Sequence, residues 1–217
     1  MSLVSKLLPA SATPDAARLI AARMVRSFAD GLVSVLLPSY LVALGFDAVR
    51  VGGIATATML GSAALTLLVG LRAHRHEPRP MLFAACGLML LTGIGFAALG
   101  FAHVAQLAPL LVIAVVGTLN PSAGDVSVFL PLEQAALASA VDARDHAALY
   151  ARSNVAANAM GALGALSSAF PIPLARTLHV SVLDAMSLAF VVYALAAALA
   201  LLLYTGLSRH SAGSAET

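Results

Sequence analysis

Charged side chains are scarce in this sequence. They make up 10% of its 217 residues, where soluble domains carry about 25%. Together with a hydrophobic fraction of 60%, this excludes an ordinary water-soluble globule, which would have nothing polar to cover its surface. Lipid as the solvent removes the contradiction. Cysteine is nearly absent: Cys86 is the single thiol, and it sits inside an apolar run. That excludes a disulfide framework and a Cys-based metal site and leaves a packing thiol. The net charge is only +2, and the basic residues are dispersed in short clusters, so no basic face for nucleic acid is present. Gly-rich phosphate loops, metal clusters and hydrolase triads are missing as well. No enzymatic activity, cofactor or metal is expected. The first residues, with Lys6, Pro9, Pro14 and Asp15 around a short Leu7-Leu8 patch, do not read as a cleaved signal peptide.

What is abundant is uncharged sequence. Six stretches stand out, at 31–46, 51–71, 80–102, 104–124, 153–175 and 185–208. A spanning helix needs about 20 residues. The first stretch has 16, enough for roughly 24 Å of a core about 30 Å thick. It must therefore extend backwards through Asp30 towards Ser27. The expected architecture is all-α and polytopic, with six transmembrane helices at about 19–46, 51–71, 80–102, 106–132, 150–173 and 184–207. Tails at 1–15 and 209–217 flank this domain.

Basic residues set the orientation. Lys6, Arg18, Arg23, Arg26, Arg72, Arg75, Arg79, Arg144, Arg152 and Arg209 fall on one side, and only Arg50 and Arg176 on the other; these account for all 12 Lys and Arg. Both ends are expected in the cytoplasm.

The fourth segment is interrupted by Asn120-Pro121-Ser122-Ala123-Gly124-Asp125. Proline and glycine break the helical ladder there, which reads either as a kink between packed helices or as a broken helix lining a polar cavity. Ionisable and amide groups concentrate on segments one, four and five. An intramembrane charge must face a partner or water, so these three are expected to face a polar interior and segments three and six to face lipid. On segment one, Arg23, Arg26, Ser27, Asp30 and Ser34 recur at spacings of three and four and form one stripe. Arg26 and Asp30 are placed to neutralise each other, or Asp30 binds a cation or carries a proton. On segment five, Asn158 falls near mid-membrane, beside a track of small residues, Ala157, Gly161 and Ala165, suited to close helix packing. Glu133 and Arg152 lie at similar depth and are expected to form an interhelical ion pair at the cytoplasmic gate. The candidate substrate or proton-coupling residues are Asp30, Arg26, Ser34, Asn120, Asp125 and Asn158. The candidate gating residues are Arg75, Arg79, Glu133 and Arg152.

The pattern resembles the N-terminal six-helix half of a major facilitator superfamily transporter over residues 18–205. The resemblance rests on Arg26-Ser-Phe-Ala-Asp30-Gly31 and Leu37-Pro38-Ser-Tyr40-Leu41, on the basic cluster from Gly70 to Arg79, and on Gly117-Thr-Leu-Asn120-Pro121-Ser-Ala-Gly124-Asp125. In the loop motif of that family Gly70 and Arg75 match, His74 stands in the aspartate position, Glu77 replaces the second glycine, and Arg79 stands for a terminal basic residue. The resemblance implies helices one and four lining the cavity and three and six outside. It implies a secondary transporter of a small-molecule substrate in a bacterial inner (plasma) membrane. Such transporters have two halves, so this chain is expected to pair with itself or with a separately encoded second half. The alternative is a non-transporting membrane scaffold or assembly protein with a degenerate transporter fold. A rhomboid-type protease lacks its nucleophile loop and deep histidine here, and a water channel lacks the second Asn-Pro-Ala motif.

Overall fold

The computed structural model describes residues 12–73, 78–117, 129–138 and 140–208, and its described secondary structure is helical throughout. The first helix, α1 (Pro14–Ala43), opens on a proline, whose missing N–H costs nothing at a helix start, and has Asp15 in the first turn. At 30 residues it is about 45 Å long. It runs through Asp30, as the short first apolar stretch requires, and begins earlier than residue 19. It also runs through Pro38, which has no N–H to offer the Ser34 carbonyl one turn back. The chain leaves α1 through Gly45 at φ +98°, a left-handed geometry that suits glycine. Asp47 then accepts a hydrogen bond from the Arg50 N–H at 2.9 Å and starts α2 (Ala48–Ala73). The third helix, α3 (Pro78–Phe101), begins with two prolines in its first turn.

The region expected as one span at 106–132 is not one continuous helix. A short α4 (Leu107–Val116) ends at Gly117, whose backbone is extended, with ψ 168°. A second short helix, α5 (Phe129–Ala138), follows. Residues 118–128, and with them Asn120 and Asp125, lie outside the described residues. The fifth segment is also divided: α6 (His146–Ser167) is followed, after a bend of 42°, by α7 (Pro171–Leu178). Pro171 and Pro173 withhold two donors from any continuation of α6, so the expected span to residue 173 is not one continuous helix. The last helix, α8 (Val182–Thr205), is capped by Ser181, whose hydroxyl accepts from the Asp184 N–H at 3.0 Å.

Among the described residues three helices are long and apolar enough to cross a membrane, at Ala48–Leu71, Arg79–Phe101 and Val182–Thr205, and a fourth is added if α6 and α7 count as one bent span. The chain is thus an all-helical protein with the apolar helices of a membrane protein. Its charged first half keeps α1 outside that count despite its length.

α1 is the hub. It packs along α6 on one side and along α8 on the other, and α8 packs in turn along α3. α2 packs against α4, α7 rests on α8, and α5 touches α1, α2, α3 and α6. The α1–α6 crossing depends on glycine. A Cβ on Gly31 would collide with the Gly161 carbonyl, and one on Gly164 with the Phe28 carbonyl. The small residues expected to pack helix five do so, against α1. α3 and α8 expose Leu91, Ile94, Leu195 and Leu202 on one side, but they are not simply peripheral. Phe96, Phe190, Tyr193 and Tyr204 on their other sides are fully buried.

Candidate functional site

Among the described residues, the most polar buried place lies where α1, α5 and α8 converge. Arg26 on α1 is 4% exposed and Glu133 on α5 is 1% exposed. Arg26 Nη2 donates to Glu133 Oε1 at 2.8 Å. The Tyr204 hydroxyl on α8 donates to the same oxygen at 2.5 Å. The Arg26 guanidinium also lies over the Phe129 ring, 3.5 Å from its centroid. Phe129 precedes Glu133 by one turn of α5, so both point at α1. A buried ion pair recovers its desolvation cost only with good geometry and further hydrogen bonds. Here the tyrosine and the cation–π contact supply them, the latter worth about 2 kcal/mol when desolvated. The site is still incompletely satisfied: Glu133 Oε2 and Arg26 Nε are buried without a hydrogen-bond partner among the described residues.

This arrangement corrects one expectation and adds a residue to the site. Glu133 pairs with Arg26, not with Arg152, which is exposed on α6. The expected spans put Glu133 and Arg152 at similar depth, but α6 turns Leu149, Ser153 and Ala157 towards the bundle and so carries Arg152 away from it. Arg23 and Arg26 share the buried face of α1, and Asp30, half-buried one turn further, adds to the field acting on Arg26. Tyr204 was not singled out from sequence. Its signal was weak: a tyrosine at the end of an apolar run reads as an interfacial aromatic.

The same end of the bundle is joined by further polar bonds. The Thr13 N–H donates to the Ala140 carbonyl at 3.1 Å. The Tyr150 hydroxyl donates to the Gln134 carbonyl at 3.0 Å, and His146 Nε2 lies 2.9 Å from the Ala138 carbonyl. Of these acceptors, Ala138 ends α5 and Ala140 lies just beyond it, where carbonyls have no intrahelical partner. The Ser208 N–H donates to Asp15 Oδ2 at 3.0 Å. Arg79, expected as a loop or gating residue, donates from Nη2 to the Thr205 carbonyl at 2.7 Å and so caps the C-terminus of α8.

The remaining candidates are not gathered at this junction. The Ser34 hydroxyl is buried and donates to the Gly31 carbonyl at 3.0 Å within α1. Asn158 is exposed on α6. Arg75, like Asn120 and Asp125, falls outside the described residues. No group of three or more His, Cys, Asp or Glu among the described residues is placed to hold a metal ion. Cys86 is buried and free. Comparison with protein-family models, with curated proteins and with solved structures returns no match.

Proposed function

We propose that the chain is one six-helix half of a secondary transporter of the major facilitator type, moving a small solute across a bacterial inner membrane, with the other half supplied by a second copy or by another six-helix unit. In this reading α1, α2, α3, α4 with α5, α6, and α8 are the six spans, with both termini cytoplasmic, and the Arg26–Glu133–Tyr204 junction closes the cytoplasmic end.

The observation that carries the reading is an exchange symmetry in the packing. Halves of such transporters are built from two three-helix repeats. Exchanging the first three spans for the last three pairs α1 with α4–α5, α2 with α6, and α3 with α8. Under that exchange α1 against α6 becomes α4–α5 against α2, and α1 against α8 becomes α4–α5 against α3. The α3–α8 pair maps onto itself, and each of these contacts is present. The polar residues agree: Asp30 and Asn158 lie on α1 and α6, away from the lipid-facing leucines of α8.

The test is accessibility. Single cysteines replacing Asp30 and Asn158, in a chain where native Cys86 is buried, should react with a membrane-impermeant maleimide. A cysteine replacing Leu195 should not. A reporter fused after Thr217 should read cytoplasmic. If neither reacts from either side of the membrane, there is no solute path along this face, and the scaffold reading takes its place.

A further inference from the structure

The connection between α6 and α8 carries more apolar surface than its position explains. α6 is less apolar than the three long spans, but its 22 residues, about 33 Å of helix, match a core of about 30 Å in length. α8 begins at Val182 and crosses back. The eight residues of α7 therefore lie between the end of one span and the start of the next, at the level of the membrane surface. Yet Phe170 is 68% exposed and Leu178 55% exposed, and Ile172, Leu174 and Val180 are also open.

The sequence of α7 sorts these groups by side. At about 100° per residue, Pro171 and Ala175 face the bundle, where both are buried. Leu174 and Leu178 flank them on one side and Ile172 on the other. Pro173, Arg176 and Thr177 take the opposite arc. The apolar arc is wider than the strip α8 covers, so both its margins remain uncovered. The helix is also set off from the span before it by the 42° bend, and it stops sharply at His179, φ +56°.

We infer that α7 is an interfacial anchor whose occupant is the lipid itself: Leu174, Leu178 and Ile172 enter the boundary between headgroups and acyl chains, and Arg176 meets the lipid phosphates. An amphipathic helix in the plane of the interface buries its apolar face to about 5–10 Å, and a long basic side chain reaches back to the headgroups. The level of α7 excludes the hydrocarbon centre, and its open leucines are unsuited to water. The inference requires only that α6 and α8 span a membrane and is independent of transport.

The chain contains no tryptophan, so one introduced indole gives an unambiguous depth reading. The full chain would be reconstituted in phosphatidylcholine vesicles brominated at defined acyl positions, carrying Leu178→Trp or, on the other margin, Ile172→Trp. Leu195→Trp in mid-α8 and Thr177→Trp on the polar arc serve as deep and wet references. The expected result is blue-shifted emission, quenching by bromines near the headgroups about twice that by deep bromines, and weak quenching by aqueous iodide. Strongest quenching by deep bromines would make α7 part of a bent span and overturn the inference. Iodide quenching equal to that of Thr177→Trp would place the face in water, and indoles shielded from every quencher would place it against another protein chain; either result also overturns it.

Discussion

The two ends of the bundle are fastened by opposite chemistry. At the end near Leu44, Tyr40, Phe96 and Phe190 form a dry aromatic cluster: Phe96 and Phe190 stack at 5.0 Å between centroids, and Tyr40 tilts against Phe190 at 4.6 Å. Its members come from α1, α3 and α8, three long helices already packed along their lengths. At the other end Arg26, Glu133 and Tyr204 join α1 and α8 to α5, a helix of ten residues without a long packed flank of its own. Apolar packing suffices where helices are long. A short helix entered from a break has little area to bury, and directional, charged contacts hold it instead. The aromatic end is thus suited to be a fixed hinge, and the charged end is suited to release α5.

The sharpest way to break this contrast is to remove the cation. Arg26→Ala leaves Glu133 buried with Tyr204 alone and should cost about 3–5 kcal/mol, the usual cost of orphaning a buried charge. Denaturant unfolding in mild detergent would measure it. The paired change Arg26→Met with Glu133→Leu removes both charges and should recover most of that loss, because apolar replacements of a buried pair are commonly neutral. If the double variant is as unstable as the single one, the ion pair is not what fastens α5, and the contrast between the ends fails.

A smaller effect is expected at the third member. Tyr204→Phe keeps the ring and removes one donor to Glu133 Oε1, while Arg26 still neutralises the carboxylate. The loss should be about 1–2 kcal/mol, between the usual value for a hydrogen bond to a charged group and the lower values measured in membranes. It should appear in the same unfolding assay. A loss as large as that of Arg26→Ala would mean that the hydroxyl, not the guanidinium, holds the junction.

Much of the frame was legible in the sequence. Stretches 51–71 and 80–102 and the expected span 184–207 match α2, α3 and α8 within a few residues, because continuous apolar runs leave little choice. The passage of α1 through Asp30 followed from length alone, and the role of Gly161 from the size of its neighbours. The errors were of another kind. Sequence gives depth along a helix but not which way a neighbouring helix is turned, so Glu133 was matched with Arg152 at its own depth when its partner was Arg26 on a third helix. Likewise a continuous helix through Pro171 and Pro173 is not formed, because two missing donors within three residues mark a helix start. The expectation that segments three and six only face lipid overlooked that α8, wedged between α1 and α3, needs a packed side of its own.

The smallest effect should come from the aromatic end. The Tyr40 hydroxyl donates to the Phe96 carbonyl at 2.6 Å, a short bond between α1 and α3 that looks like the counterpart of the Tyr204 contact. The acceptors differ in kind. Phe96 lies inside α3, so its carbonyl keeps its own helical partner when the tyrosine is cut, whereas Glu133 depends on side chains alone. Tyr40→Phe also leaves no charge uncovered, and the ring contacts with Phe96 and Phe190 survive because the ring is unchanged. The expected cost is about 0.6 kcal/mol, the mean for an interhelical hydrogen bond in a membrane protein, with no change in the reactivity of cysteines placed along α5. Tyr204→Phe should raise that reactivity as α5 loosens. If Tyr40→Phe costs as much as Tyr204→Phe and also exposes α5, the two ends are coupled through α1 and α8, and the aromatic cluster is not a passive hinge.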